Sequence, residues 1–205
     1  IGDVMDSGEV LIFDIRAHES MRPLPKPNIH VASFLHCSDE SMNVESSRTE
    51  LDSHANMAVV GGHAYVAAKS GRTVDVNPFS PDISALSNVP IVDAVVAYDC
   101  PCTNETHLVV VQNALHVPSM DHNLIPPFVM REAGVLVNDV AKIHVKDPSV
   151  EDHSIWFHEE KVRIPLSLHG VFSYFKSRTP SLEELRECKS VLLATPMTGD
   201  WDPHS

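Results

Sequence analysis

The sequence is short of positive charge. Its 205 residues include 15 lysines and arginines against 28 aspartates and glutamates, which gives a formal net charge of -13. Nucleic acids and anionic membranes attract basic surfaces, so this imbalance argues against either as the main partner. No apolar run reaches the roughly 18 residues that a membrane-spanning helix needs. We therefore expect no membrane partner and no direct contact with nucleic acid.

Cysteine is also scarce, with Cys37, Cys100, Cys102 and Cys188 as its four occurrences. Cys100 and Cys102 are close enough in sequence to share a metal ion. Small zinc sites need a second short-spaced pair, or its Cys/His equivalent, and the sequence has none. The first residues also lack the basic and apolar segments of a signal peptide. These features predict no metal or other cofactor and a reducing, intracellular compartment.

What the sequence does contain is a series of short β-prone runs. Those at 57–60 and 64–67 flank a Gly-Gly turn, and those at 91–98 and 108–117 are apolar at nearly every position, so both faces should be covered. Further runs lie at 10–15, 29–35, 154–157 and 162–168. Prolines bound an excursion from Asn77 to Pro90. Short helices are predicted at 126–134, with proline first and glycine last, and from Thr179-Pro180 to about 189.

The sharpest local signal lies at residues 50–55, Glu-Leu-Asp-Ser-His-Ala. An acid at Asp52 follows an apolar residue and precedes the hydroxyl of Ser53. In aspartic proteases a strand delivers such a carboxylate to a sharp turn, and the hydroxyl locks the turn by hydrogen bonds. Two of these turns meet, and two carboxylates in contact share one proton. One then activates water while the other protonates the peptide carbonyl.

Two plainer interpretations use the same residues. Asp-Ser followed by a small residue is common in ordinary turns, where the aspartate bonds its own backbone. Alternatively, Asp52, His54 and His63 offer the carboxylate and imidazole groups that bind metals, and alternate residues of a strand face one side. No spacing typical of a known metallohydrolase supports the metal interpretation.

The order of several motifs resembles the protease region of Pol polyproteins from Copia-like LTR retrotransposons. The first motif surrounds Asp52. It is followed by Asn-Ala-Leu-His-Val-Pro at 113–118, His-Asn-Leu-Ile at 122–125 and Arg-Glu-Ala-Gly at 131–134. Residues 170–175 and 201–205 also resemble Pol segments from a subset of these elements. The resemblance covers about residues 49–140.

The resemblance implies a mainly β protein, a small closed β barrel of retropepsin type with one or two short helices and extended flanks. It implies an aspartic endopeptidase that acts on a polypeptide as a homodimer, in the cytoplasm or a virus-like particle. Asp52 and Ser53 would be catalytic, with Ser53 bracing the two turns across the interface. His54 and Ala55 would line the substrate cleft. The excursion from Asn77 to Pro90 would form the flap.

The same resemblance places Leu124 and Ile125 beneath the catalytic turn. It divides the chain into a flank of residues 1–48 with strands, a retropepsin-like domain of 49–140 and a C-terminal extension of 141–205 with strands and a terminal helix.

Two positions depart from the family pattern. His54 stands where most relatives have glycine, and it adds bulk and a titratable group beside the carboxylate pair. Pro126 follows Leu124 and Ile125 where glycine is usual, so a rigid bend replaces a permissive one. These departures keep a second hypothesis open: a non-catalytic structural or assembly protein that retains the protease-like fold.

Overall fold

The fold is mainly β, as expected, in a computed structural model that describes residues 29–31, 47–78 and 85–197. Its strands are β1 (Ile29–Val31), β2 (Ser47–Leu51), β3 (Val59–Val60), β4 (Tyr65–Pro78), β5 (Leu86–Asp99), β6 (Thr106–His116), β7 (Asn123–Ile125), β8 (Leu136–Asn138), β9 (Ser154–Phe157), β10 (Val162–Pro165), β11 (Ser167–His169), β12 (Phe172–Ser177) and β13 (Val191–Leu193). Its α-helices are α1 (Pro127–Glu132) and α2 (Leu182–Glu187). The strand predicted at 10–15 and the Pol-like segment 201–205 lie outside the described residues.

Most of the strands belong to one sheet. Its order is β1-β4-β5-β6-β3-β7-β2-β12-β11, and β13 pairs with β6 beside β3. A second sheet has the order β10-β9-β8. Two strands from beyond residue 140, β12 and β13, therefore pair in the larger sheet with strands before it, and β11 joins the sheet through β12. The boundary at residue 140 stays a prediction from the sequence.

The expected closed barrel is not seen among the described strands. The end strands of the large sheet, β1 and β11, each have one neighbour. A single antiparallel bridge joins Arg178, directly after β12, to Ala97 of β5. This bridge brings distant parts of the sheet together, but no ladder of hydrogen bonds continues it. The sheet curls back on itself without being closed into a barrel.

Strands β5 and β6 lie at the centre of the packing, and the prediction that both of their faces are covered is confirmed. Val96 and Val109 pack in one buried cluster. Val95 and Val110 point to the opposite face and pack in another, where Leu185 of α2 covers them. Alternate side chains of a strand point to opposite faces, so a strand buried on both sides must be apolar throughout.

The predicted flap segment lies at the end of a long hairpin made by β4 and β5. The hairpin is irregular, and its register shifts between Lys69 and Thr73, next to Gly71. Gly71 has φ 73°, a left-handed conformation that glycine adopts without steric cost. Residues 79–84, the centre of the predicted flap, lie outside the described residues.

Both predicted helices form. The first, α1, begins directly after Pro126, and Gly134 follows its end with φ 79°. The second begins two residues later than expected, because Ser181 rather than Thr179 is the N-cap. Ser181 accepts from the Glu184 N–H, and the Glu184 carboxylate accepts from the Ser181 N–H, which makes a capping box. The Thr179 hydroxyl instead donates to the His63 carbonyl at 2.7 Å.

Arg178 joins the end of β5 to α2 through two carboxylates. Its guanidinium donates to both oxygens of Asp99 at 2.7 and 2.8 Å. It also donates to both oxygens of Glu184 at 2.9 and 2.6 Å. Hydrogen bonds from Arg178 lower the pKa of Asp99, and they lower that of Glu184 to about 2. We call these three residues the Arg178 cluster.

The described helices are all short. In this part of the chain, none has the length and apolar character needed to cross a bilayer.

Candidate functional site

The candidate site is the turn at residues 52–55, which directly follows β2. The Asp52 N–H donates to the Ile125 carbonyl at 3.2 Å, so the pairing of β2 with β7 extends one residue past the strand. Asp52 and Ala55 are buried, whereas Ser53 and His54 are exposed. The chain thus holds the acid against the sheet and turns the two following side chains outward.

The two oxygens of the Asp52 carboxylate have different surroundings. Oδ1 accepts from the His54 N–H at 2.9 Å, which fixes the direction of the side chain. Oδ2 is buried and has no hydrogen-bond partner among the described residues. A buried polar atom without a partner costs about 1–3 kcal/mol, and more when it is charged. The turn therefore holds a carboxylate whose second oxygen lacks a hydrogen-bond partner among the described residues.

Ser53 and His54 lie at the exposed side of the turn. The Ser53 Oγ is 3.4 Å from the His54 Nδ1, at the long end of hydrogen-bond range. The same nitrogen is 3.9 Å from the Asp52 Oδ1, and the His54 side chain is 79% exposed. In a single chain both side chains are accessible to a substrate or a second copy. The expected bracing by Ser53 across an interface stays a prediction.

Strand β7 supports the turn by pairing with the strands on either side of it, and all three β7 residues are buried. It is parallel to β2, with Leu51 opposite Ile125. It is also antiparallel to β3, with Val59 opposite Leu124. The strand therefore lies between the two strands that enter and leave the Asp52 turn. Leu124 and Ile125 have the supporting position that the family resemblance implies.

A buried polar network connects these strands, and no local sequence motif predicts it. The Asn123 Oδ1 accepts from the Gly61 N–H at 2.9 Å, and its Nδ2 donates to the Thr49 Oγ1 at 3.2 Å. The Thr49 Oγ1 lies 2.9 Å from the Ser177 Oγ. Asn123 is 1% exposed, so these bonds form in a dry setting where each is stronger than in water. The network fixes β7 between its two neighbours.

Gly61 completes this support because its position has no room for a side chain. A Cβ there would lie 2.4 Å from the Met120 carbonyl oxygen and 2.7 Å from that of His122. The close approach of these two backbone segments brings the Gly61 N–H to Asn123. A glycine in a Gly-Gly pair suggests a turn, but only the folded chain shows that the second segment passes so near.

Next to the turn, Glu50 of β2 is also buried, but it is paired. The Arg48 Nε donates to the Glu50 Oε1 at 2.6 Å. The His122 Nε2 lies 4.0 Å from the other oxygen of Glu50. The Nδ1 of the same ring bonds the Asp121 carboxylate at 2.7 Å, and this bond lowers the pKa of Asp121. Near this end of β2, Asp52 is thus the acid with a buried oxygen, Oδ2, that has no hydrogen-bond partner among the described residues.

The metal interpretation of Asp52, His54 and His63 is not supported. Within residues 47–78 and 85–197, no three side chains of His, Cys, Asp or Glu lie close enough to hold a metal ion. The ring of His54 points outward. The candidate site is therefore a single carboxylate in a supported turn.

Comparisons of the chain with protein-family models, with curated proteins and with solved structures found no match.

Proposed function

We propose that the chain is the aspartic endopeptidase of a retroelement polyprotein, with a retropepsin-like fold, active as a homodimer in which each copy contributes one Asp52. The observation that carries the proposal is the buried Oδ2 of Asp52, which lacks a partner among the described residues. A second Asp52 at a two-fold axis would provide that partner through a shared proton, which requires the turn to shift so that Oδ2, buried in the single chain, becomes accessible.

The proposed chemistry follows from this pairing. Two carboxylates in contact cannot both ionise at neutral pH, so the pair holds one proton between its inner oxygens. The ionised member takes a proton from a water molecule, which attacks the peptide carbonyl. The protonated member donates to the carbonyl oxygen. The bond from the His54 N–H to Oδ1 fixes the direction of the Asp52 side chain, which supports this role.

The support around the turn also favours the proposal. Catalytic groups work when their own positions are fixed by packing and by further hydrogen bonds. Ile125 bonds the Asp52 backbone, and Asn123 fixes the strand that carries Ile125. The exposed His54 and the buried Ala55 would line the substrate cleft, and the β4–β5 hairpin would supply the flap.

The decisive variant is Asp52→Asn, with Asp139→Asn as its matched control. Asp139 is an acid on the surface that pairs with Arg131 at 3.0 Å and lies outside the turn. Both proteins would be incubated with a mixture of unfolded polypeptides at several pH values, and new termini mapped by mass spectrometry. We expect Asp52→Asn to lose cleavage by at least about 10²-fold and Asp139→Asn to retain it. Cleavage by Asp52→Asn at the original rate would overturn the proposal.

A non-catalytic assembly protein is the second candidate, and His54 is the observation in its favour. When protonated, its ring would place a positive charge 3.9 Å from the Asp52 Oδ1 and oppose proton sharing. This candidate predicts no cleavage by the unaltered chain. It also predicts that His54→Gly, which restores the residue usual in the family, does not produce cleavage that depends on Asp52.

A further inference from the structure

The turn between β5 and β6 holds two cysteines separated by one proline. The Cys100 N–H donates to the Glu105 carbonyl and the Asn104 N–H donates to the Cys100 carbonyl, both at 2.9 Å. Asn104 has φ 57°, which lets the chain reverse direction. Residues two apart in so tight a turn have Cα atoms about 5–6 Å apart, within the range that disulfides span. The turn therefore brings the two Cα atoms to a separation that a disulfide can span.

The two thiols are free and have different surroundings. Cys100 is buried, with 9% of its surface exposed, whereas Cys102 is exposed. Burial raises the pKa of the Cys100 thiol, but hydrogen bonds from the Thr103 hydroxyl and from the N–H groups of Thr103 and Cys102 outweigh it and leave that pKa lowered. Cys100 is thus a shielded thiol with a lowered pKa, next to a thiol that is exposed to solvent.

Tyr98 belongs to the same cluster. Its hydroxyl is buried and makes no hydrogen bond of ordinary geometry with any described residue. Burial, and after it the neighbouring Cys100 and Cys102, raises the pKa of Tyr98. The hydroxyl consequently stays protonated beside the two sulfurs, where it favours a negative charge on Cys100.

We propose that Cys100 and Cys102 form a reversible dithiol–disulfide pair that exchanges with low-molecular-weight disulfides. The exposed Cys102, as its thiolate, attacks one sulfur of the external disulfide. The S–S bond of that molecule breaks, one thiol leaves after taking up a proton, and a mixed disulfide remains on Cys102. The Cys100 thiolate then attacks the Cys102 sulfur and releases the second thiol. Two electrons and two protons pass from the pair to the external disulfide.

Disulfide exchange fits this pair better than metal binding does. No third His, Cys, Asp or Glu completes a metal site with the pair in the part of the chain that the structure describes. Cys188 is a useful contrast, because its thiol donates to the carbonyls of Thr106 and Ser190 at 3.3 and 3.4 Å. The Cys188 proton is directed at oxygen atoms, whereas hydrogen bonds from neighbouring donors lower the pKa of Cys100.

The test uses the full chain in buffers of graded reduced and oxidised glutathione, followed by acid quenching, alkylation and peptide mapping. We expect the peptide that holds Cys100 and Cys102 to lose two hydrogen atoms and to carry no glutathione. The number of titratable thiols should fall by two from the four in the sequence, and a dithiol reductant should restore them.

Three variants separate the roles. Cys100→Ser should stop with glutathione on Cys102, Cys102→Ser should leave Cys100 unmodified at the same buffer ratio, and Cys188→Ser should behave as the unaltered chain. Because Cys102 is exposed, Cys102→Ser should fold even if Cys100→Ser does not, and it then tests the proposal by itself. Glutathione retained on Cys102 of the unaltered chain, or a bridge to Cys37 or Cys188, would overturn the proposal. The result does not depend on protease activity.

Discussion

The Asp52 turn and the Arg178 cluster differ in how many of their carboxylate oxygens have a hydrogen-bond partner. In the Arg178 cluster every carboxylate oxygen of Asp99 and Glu184 accepts from the guanidinium. In the Asp52 turn one oxygen is bonded and the other is buried without a partner among the described residues. Saturated charge pairs hold elements together, whereas a buried carboxylate oxygen without a partner is a candidate for a functional role. The contrast marks Asp52 as the group to test for function and Arg178 as the group to test for stability.

The largest expected effect concerns the number of Asp52 residues that one active site needs. Unaltered and Asp52→Asn chains would be refolded together at a constant total concentration. Because an active pair needs two unaltered copies, an equimolar mixture should retain about one quarter of the activity of the unaltered protein. Retention of about one half would mean that each copy acts alone, and the shared-proton site would then be wrong.

Arg178→Ala should give the largest loss of stability among these changes. It leaves two carboxylates side by side without their common donor, and it removes four hydrogen bonds from the link between β5 and α2. Solvent screens the cluster in part, so we expect a loss of about 1–3 kcal/mol in the free energy of unfolding. Urea denaturation measures it. Arg131→Ala, which breaks the exposed pair with Asp139, is the control and should cost less.

Acidification should weaken the Arg178 cluster in a defined range. The pKa of Glu184 in the folded chain is lowered to about 2 from an ordinary value of 4.5. A lowered folded pKa means that the stabilisation is complete above the unfolded value and is lost as the pH falls through the folded one. Urea midpoints should therefore decline between pH about 5 and about 2. Glu184→Gln should reduce that decline, and an equal decline in both proteins would contradict the assignment.

The smallest expected effect is the difference in the free energy of unfolding between Asp99→Asn and Asp52→Asn. Asp99→Asn weakens a made ion pair, and since Asp99 is largely exposed we expect a cost of about 0.5–1 kcal/mol. Asp52→Asn keeps the oxygen that accepts from His54 N–H and replaces Oδ2 by an amide nitrogen, so one buried polar group without a partner replaces another. Its stability should stay within about 0.5 kcal/mol of the unaltered chain or rise above it. A clear loss at Asp52 would show that the carboxylate already has a partner in the single chain.

Local features of the sequence predicted much of the fold. The apolar runs at 91–98 and 108–117 became the buried parts of β5 and β6, and the run at 154–157 became β9. The sequence predicts the second helix two residues too early, because Thr179-Pro180 is itself a good helix start. The competing signal was the spacing of Ser181 and Glu184, which form the capping box. Such choices depend on residues within one turn of each other, so they can be read from the sequence.

The sequence by itself determined the mainly β character, both short helices and the tight turn after Asp52, because each depends on hydrogen bonds and side-chain preferences between near neighbours. Only the tertiary structure decided that β7 lies between β2 and β3. It also decided that Arg178 bonds Asp99, which lies 79 positions away in the chain. The burial of the Asp52 Oδ2 without a partner among the described residues is a third such feature. Contacts between distant segments depend on how the whole sheet packs, and no local pattern encodes which buried oxygen is left unbonded.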